Sequence, residues 1–296
     1  MKMNKKNIII SLTLIILSVY FIKFNSLKSL NKNDLNVSKY IECVDKVSGN
    51  KVQINWKYVA AIIGVLSDNK FNRVKDSDIE QISKMFINKN NKNLNSLSDV
   101  LSDLNLSNKK IERVYKYIDD LQNHGTKPSR LHKDGEYIKF INNIKESAIY
   151  NYKKYKILPS ITISQAILES NWGKSILSKD FNNLFGIKAD KYWTGEYVTL
   201  ETKEYNNTVI NDKFRKYKDK SESIEDHAKF LVENKRYKEN GVFESNTYTY
   251  QAKALEKSGY STVSNENGEL IYADMLIDLI KQYNLQLIDS EIQSLA

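Results

Sequence analysis

The sequence predicts an α+β fold, mainly helical, with one small β-hairpin lobe. Apolar residues recur at helical spacing through most of residues 40–122 and again over Glu136–Tyr155. A helix after Pro159 is apolar around most of its circumference, which marks it as central. Two alternating runs, 197–205 and 208–217, flank Asn206-Asn207 and read as a hairpin with a tight turn.

The N-terminal segment sets the expected location. Ile8–Ile22 (IIISLTLIILSVYFI) is almost wholly apolar, and residues 7–24 make a short membrane span. Lys2, Lys5 and Lys6 precede it in a tail of residues 1–6, so the positive-inside rule places the rest of the chain outside. Phe24-Asn25-Ser26 fits no small-x-small cleavage site, which favours an uncleaved signal-anchor over a cleaved signal peptide. The expectation is a single-pass protein of the cell membrane facing the wall side, or a secreted one if the segment is cleaved.

Residues 25–39 are polar and read as a stalk, and 40–122 as a helical module of unknown role. In that module Trp56, Val59, Ala60, Ile63 and Leu66 share one stripe. Asp76 or Ser77 opens a helix, Ser96 caps another and Asn108 starts a fourth. Residues 123–134, with Gly125 and Pro128, read as a linker. The second domain is expected over 135–286. It has helices at Glu136–Tyr155 and from Ser160 (as N-cap) past Glu169. After the hairpin, helices run from Ser221, over Tyr248–Lys257 closed by Gly259, and over Leu270–Tyr283. Residues 287–296 read as a tail.

Composition excludes more than it selects. The net charge of +9 favours anionic partners such as cell-wall polymers, but the basic residues are dispersed among acids, so no nucleic-acid partner is expected. A single cysteine, Cys43, forms no internal disulfide and no thiolate metal site. His124, His132 and His227 have no metal-ligand spacing, so neither metal nor cofactor is expected. The 19 tyrosines suit sugar surfaces, although most are read as half-buried packing residues.

One residue points to chemistry. Glu169 is the only charged side chain in the seventeen residues from Ile157 to Gly173 (ILPSITISQAILESNWG). Burial in such company favours the protonated carboxyl, and a carboxylic acid near neutral pH can protonate a glycosidic oxygen. Glycosidases use two carboxyl groups. Glu196, Glu201 and Glu204 are the candidates for the second. Strand alternation puts Glu204 on the face of Val198, Leu200 and Thr202, the more apolar one, and Glu201 on the other. The competing reading of Glu169 is a buried ion-pair member.

The runs SQAILESNWGKS (164–175), NNLFGIK (182–188), YWTG (192–195), TKEY (202–205), FRKY (214–217) and SGYST (258–262) together resemble the glycoside hydrolase family 73 β-N-acetylglucosaminidases. The resemblance covers about residues 136–285 and leaves the first helical module outside. It implies a lysozyme-like α+β fold and peptidoglycan glycan strands as substrate. It makes Glu169 the general acid, Glu204 the second carboxylate and Tyr260 a support for the reacting sugar. It places Asn183, Phe185, Trp193 and Tyr272 at the sugar-binding groove. SGYST departs from the family's usual GYAT wording around Tyr260. The function so implied is an endo-β-N-acetylglucosaminidase acting in wall remodelling, with a monomer expected. The alternatives are a lytic transglycosylase and a non-catalytic wall-binding protein.

Overall fold

The computed structural model describes residues 27–90, 93–204 and 208–295, with backbone alone at 202–204 and 208–210. The expected tail and anchor, residues 1–24, lie outside the described residues. Among the described residues no helix is long and apolar enough to cross a membrane.

Two hydrophobic cores organise the chain. The first is built by α1 (Val37–Ser48), α2 (Trp56–Leu66), α3 (Asp76–Met85), α4 (Leu97–Asp103) and α5 (Asn108–Asp120). Helix α2 is its centre, buried from Val59 to Val65. Helix α4 starts on a reciprocal cap: Asp99 N–H donates to Ser96 Oγ and Ser96 N–H to Asp99 Oδ2, both at 3.2 Å. The expected stalk is part of this core instead. Leu30, Leu35 and Val37 are buried, and the Leu30 N–H donates to Asp120 Oδ2 at 2.9 Å. Three apolar residues separated by polar ones carry no helical period, so the sequence reads as spacer while the side chains plug the end of a bundle.

The half that carries the second core runs through α6 (Glu136–Tyr155), α7 (Pro159–Ser170), the short α8 (Ile176–Phe181), then β1 (Tyr197–Glu204) and β2 (Thr208–Arg215). It continues through α9 (Lys220–Glu233), α10 (Lys235–Glu239), α11 (Tyr248–Lys257), α12 (Tyr272–Tyr283) and α13 (Gln286–Ser294). Helix α7 is the axis of this half, against which α6, α11, α12 and α13 all pack. Pro159 is its first residue and Leu158 its N-cap, earlier in the chain than the Ser160 cap expected. Proline fits there because the first helical N–H has no partner to lose. Ser160 is bonded instead to Asp289 of α13, through its N–H at 2.9 Å and through its hydroxyl. Residues 287–296, expected as a tail, thus form most of a helix that holds the start of α7. Burial pushes the Asp289 carboxyl up to about 7, against the pull of the two Ser160 hydrogen bonds.

The two strands pair antiparallel in the register Tyr197↔Arg215 to Glu204↔Thr208. This is a hairpin around the expected Asn-Asn turn, whose residues 205–207 lie outside the described ones. The expected face alternation holds at described positions: Val198 and Leu200 are half-buried, while Thr199 and Glu201 are exposed.

The two cores meet. Trp56 Nε1 donates to Asn284 Oδ1 at 3.3 Å, Gln53 N–H to Gln293 Oε1 at 2.7 Å, and the Tyr248 hydroxyl to Asp45. The segment 123–134 is packed along this seam, with Leu131 buried and Thr126 Oγ1 donating to the Lys281 carbonyl at 3.3 Å. A Cβ on Gly125 would come within 2.7 Å of Asn284 Nδ2, so only glycine fits the seam there.

Candidate active site

Glu169 sits one residue before the end of α7, and the sequence ESNWG stops the helix at that point. Asn171, Trp172 and Gly173 have φ of 49°, 63° and 72°, three successive left-handed residues. The Trp172 N–H reaches back to the Ile167 carbonyl at 3.1 Å, the closure of a Schellman-type cap. Ser170 Oγ donates to the Ala166 carbonyl at 2.5 Å and accepts from the Gly173 N–H at 2.7 Å. A Cβ on Gly173 would meet Phe140 Cε2 at 2.7 Å, so glycine is required for both torsion and space. The Trp172 ring packs against Tyr137 and Tyr283, with ring centres 4.4 and 4.8 Å away. The acid is therefore mounted on a helix pinned at both ends.

The carboxyl of Glu169 faces a cleft of about 460 Å³ whose walls include Phe185, Lys188, Arg215, Tyr237 and Tyr260. The residue is exposed by surface area because it lines open space. Its carboxyl is nevertheless crowded by protein, and the lost hydration raises its pKa above the ordinary glutamate value. The Tyr272 hydroxyl donates to Oε1 at 2.9 Å and pulls in the opposite direction. The carbonyl end of α7 adds a further field against ionisation. Among the described residues no lysine, arginine or histidine pairs with Glu169, so the ion-pair reading of this acid finds no partner there.

Behind the acid lies a stack of rings. Tyr272 is 2% exposed and accepts from Gln165 Nε2 at 3.1 Å. Tyr260 stacks on it, centroids 5.2 Å apart at 24°. The Tyr260 hydroxyl lies 3.1 Å from His227 Nε2, and the His227 ring stacks on Phe185 at 3.9 Å and 9°. Burial depresses the His227 pKa to about 3, so the imidazole is neutral. Burial likewise pushes both tyrosines well above the ordinary phenol range. The arrangement thus brings Glu169, Tyr272, Tyr260 and Phe185 together.

His227 is the residue that sequence reasoning misses. It lies on the buried stripe of Ile224, Ala228 and Leu231 along α9. A histidine on an apolar stripe is the one signal that marks it.

The remaining expected residues are placed differently. Asn183 is 1% exposed and spends its amide on the main chain. It donates to the Ile187 and Arg215 carbonyls at 3.0 and 2.8 Å and accepts from the Ile187 N–H at 3.1 Å. It shapes the groove from behind by closing the 183–187 turn on β2, and presents nothing to a ligand. Trp193 is half-exposed at the base of the hairpin, its Nε1 donating to the Glu196 carbonyl at 2.9 Å. The Arg215 guanidinium lies over its ring at 4.4 Å and is also bonded to Asp226 at 2.8 Å. Gly195 lets the indole lie flat, since a Cβ there would meet Trp193 Cζ2 at 2.5 Å. Glu204 ends β1 opposite Thr208; its side chain lies outside the described residues.

A helix-borne carboxylic acid with no ion-pair partner among the described residues, facing a cleft beside a β-hairpin, fits one class: a glycoside hydrolase domain. Residues 145–285 match the family model for glucosaminidase, described as mannosyl-glycoprotein endo-beta-N-acetylglucosaminidase, and the chain belongs to this glucosaminidase family. It is 40% identical over 172 residues to exo-glucosaminidase LytG of Bacillus subtilis, covering 54% of this chain and 57% of LytG. It is 32% identical over 146 residues to peptidoglycan hydrolase FlgJ of Vibrio parahaemolyticus, covering 47% of this chain and 45% of FlgJ. The chain therefore spans about half the length of these curated relatives. Among solved structures, the catalytic domain of the autolysin Auto from Listeria monocytogenes is 36% identical with a TM-score of 0.45, over 52% of this chain and 87% of that domain.

Proposed function

We propose that the chain hydrolyses the β-1,4 bond on the reducing side of N-acetylglucosamine within bacterial peptidoglycan strands. Glu169 protonates the leaving oxygen. Glu204, from the hairpin, supplies the second charge, which stabilises the oxocarbenium-like transition state or activates water. Tyr260 supports the reacting sugar. Phe185 and Trp193 offer apolar surface to sugar rings. The observation that carries this reading is Glu169 itself: a desolvated acid at a helix end, open to a cleft and held by Tyr272, with no ion-pair partner among the described residues. The curated relatives LytG and FlgJ bear names of glucosaminidase and peptidoglycan hydrolase, which supports the same substrate. Residues 7–24 are proposed to tether the enzyme with its catalytic half on the wall side, acting as a monomer.

Mass spectrometry of digested sacculi tests the reaction. Muropeptides with N-acetylglucosamine at the new reducing end are expected. Anhydro-muramic ends as the main product would replace this reading with a lytic transglycosylase, and binding without release would replace it with a wall-binding protein.

A further inference from the structure

His227 is a buried titratable group in the cleft wall for which the proposed reaction has no use, and its surroundings define what it does. It is 1% exposed. Nε2 lies 3.1 Å from the Tyr260 hydroxyl. Nδ1 is buried and has no hydrogen-bond partner among the described residues. The Phe185 ring covers one face of the imidazole and fixes its plane. On the same helix, the neighbouring Asp226 is engaged by Arg215 and by the Tyr217 hydroxyl, at 2.8 and 2.6 Å.

A neutral imidazole carries one N–H and one bare nitrogen. A proton on Nδ1 would be a buried donor with no acceptor, the rarest kind of unpaired polar group in folded proteins. It would also force Tyr260 to donate to Nε2, aiming the phenolic proton away from the cleft. A proton on Nε2 avoids both problems. The imidazole then donates to the Tyr260 oxygen, and the Tyr260 O–H is left for an acceptor on the other side. The polar neighbours there are the Tyr272 hydroxyl, which is hydrogen-bonded with Tyr260, and Glu169.

We propose that His227 is a positioning residue held as the Nε2–H tautomer, which turns the Tyr260 hydroxyl into a directed donor toward an oxygen of the amino sugar seated against Glu169. The proposal rests on the glycosidase reading for the identity of the acceptor, but the tautomer does not depend on it. Neither His227 nor its proton takes part in bond cleavage; the effect is on where the Tyr260 proton points.

The tautomer is read directly by ¹⁵N nuclear magnetic resonance of the full chain labelled at histidine, with His227→Gln assigning the signal among the three histidines. The expected result is a bare Nδ1 and a protonated Nε2, unchanged between pH 5 and 8. A protonated Nδ1, or an imidazolium forming in that range, would overturn the proposal. The second readout is a double-mutant cycle on soluble glycan fragments. His227→Phe is expected to lower kcat about tenfold with KM within about twofold, and to add nothing in a Tyr260→Phe background. His227→Gln, which keeps an N–H near the Nε2 position, should recover most of the loss. Additive losses, or no recovery by glutamine, would count against the assignment. If Glu169→Gln cleaved glycans at the wild-type rate, the glycosidase reading would fail while the tautomer stood. If Glu169→Gln were inactive but Nδ1 carried the proton, only the His227 proposal would fail.

Discussion

The Tyr272 hydroxyl donates to Glu169 Oε1 at 2.9 Å, and this bond opposes burial in setting how the acid titrates. Burial raises the Glu169 pKa and the Tyr272 bond lowers it, because a donated hydrogen bond favours the carboxylate. On the proposed reading the protonated form is the active one, so activity is expected to fall as pH rises through this pKa. Tyr272→Phe removes the opposing contribution. The alkaline limb of the pH–kcat/KM profile is therefore expected to move to higher pH. A limb that stays in place would mean that Tyr272 does not control the acid.

Glu169 is also expected to cost stability. A carboxyl whose folded pKa lies above its unfolded value is most favourable below the unfolded pKa, and its contribution is lost as pH rises through the folded one. Above the folded pKa the protein holds an ion it solvates poorly. Glu169→Gln is accordingly expected to raise the thermal midpoint at pH 7 and to change it less at pH 4. Calorimetry at the two pH values checks the sign.

The third residue of the turn after the acid, Gly173, should accept a side chain only at a cost. Gly173→Ala forces a left-handed alanine, costing about 1–2 kcal/mol, and drives its Cβ into Phe140, adding about 1–3 kcal/mol. Gly241, at φ +78° with open space within 4 Å of where a Cβ would stand, is the control and should show the torsional cost alone. Urea unfolding of the two variants separates strain from collision.

The seam between the cores carries its own pH dependence. Burial pushes Asp45 up to about 6, opposed by the Tyr248 and Gln53 hydrogen bonds. Its stabilising contribution is present at low pH and lost as pH rises through about 6. Tyr248→Phe removes the donor that favours the ion, so it is expected to destabilise by roughly 1–3 kcal/mol at pH 8 and by less at pH 5. Denaturant titrations at both values test this, and an equal loss at each would contradict it.

Regular periodicity made α6 legible to the residue, since Glu136–Tyr155 keeps one apolar stripe from end to end. The lone acid of ILPSITISQAILESNWG was legible because an absence of other charge is visible in a string. What stayed hidden has polar groups satisfied from far along the chain. Helix α13 buries Asp289, Ser290 and Gln293, so its sequence looks like a solvated tail. Their partners, Ser160 for Asp289 and Gln53 for Gln293, are 129 and 240 residues away. Asn183 and His227 each meet one such distant partner, the Arg215 carbonyl 32 residues on and the Tyr260 hydroxyl 33 residues on.

The most direct test compares wild type and Glu169→Gln for release of new reducing ends from purified sacculi, at equal concentrations of folded protein and at the wild-type pH optimum. Loss of a general acid predicts release slowed by about 10²–10⁴-fold, with the amide variant still folded. Release at the wild-type rate would mean that the proton comes from another group.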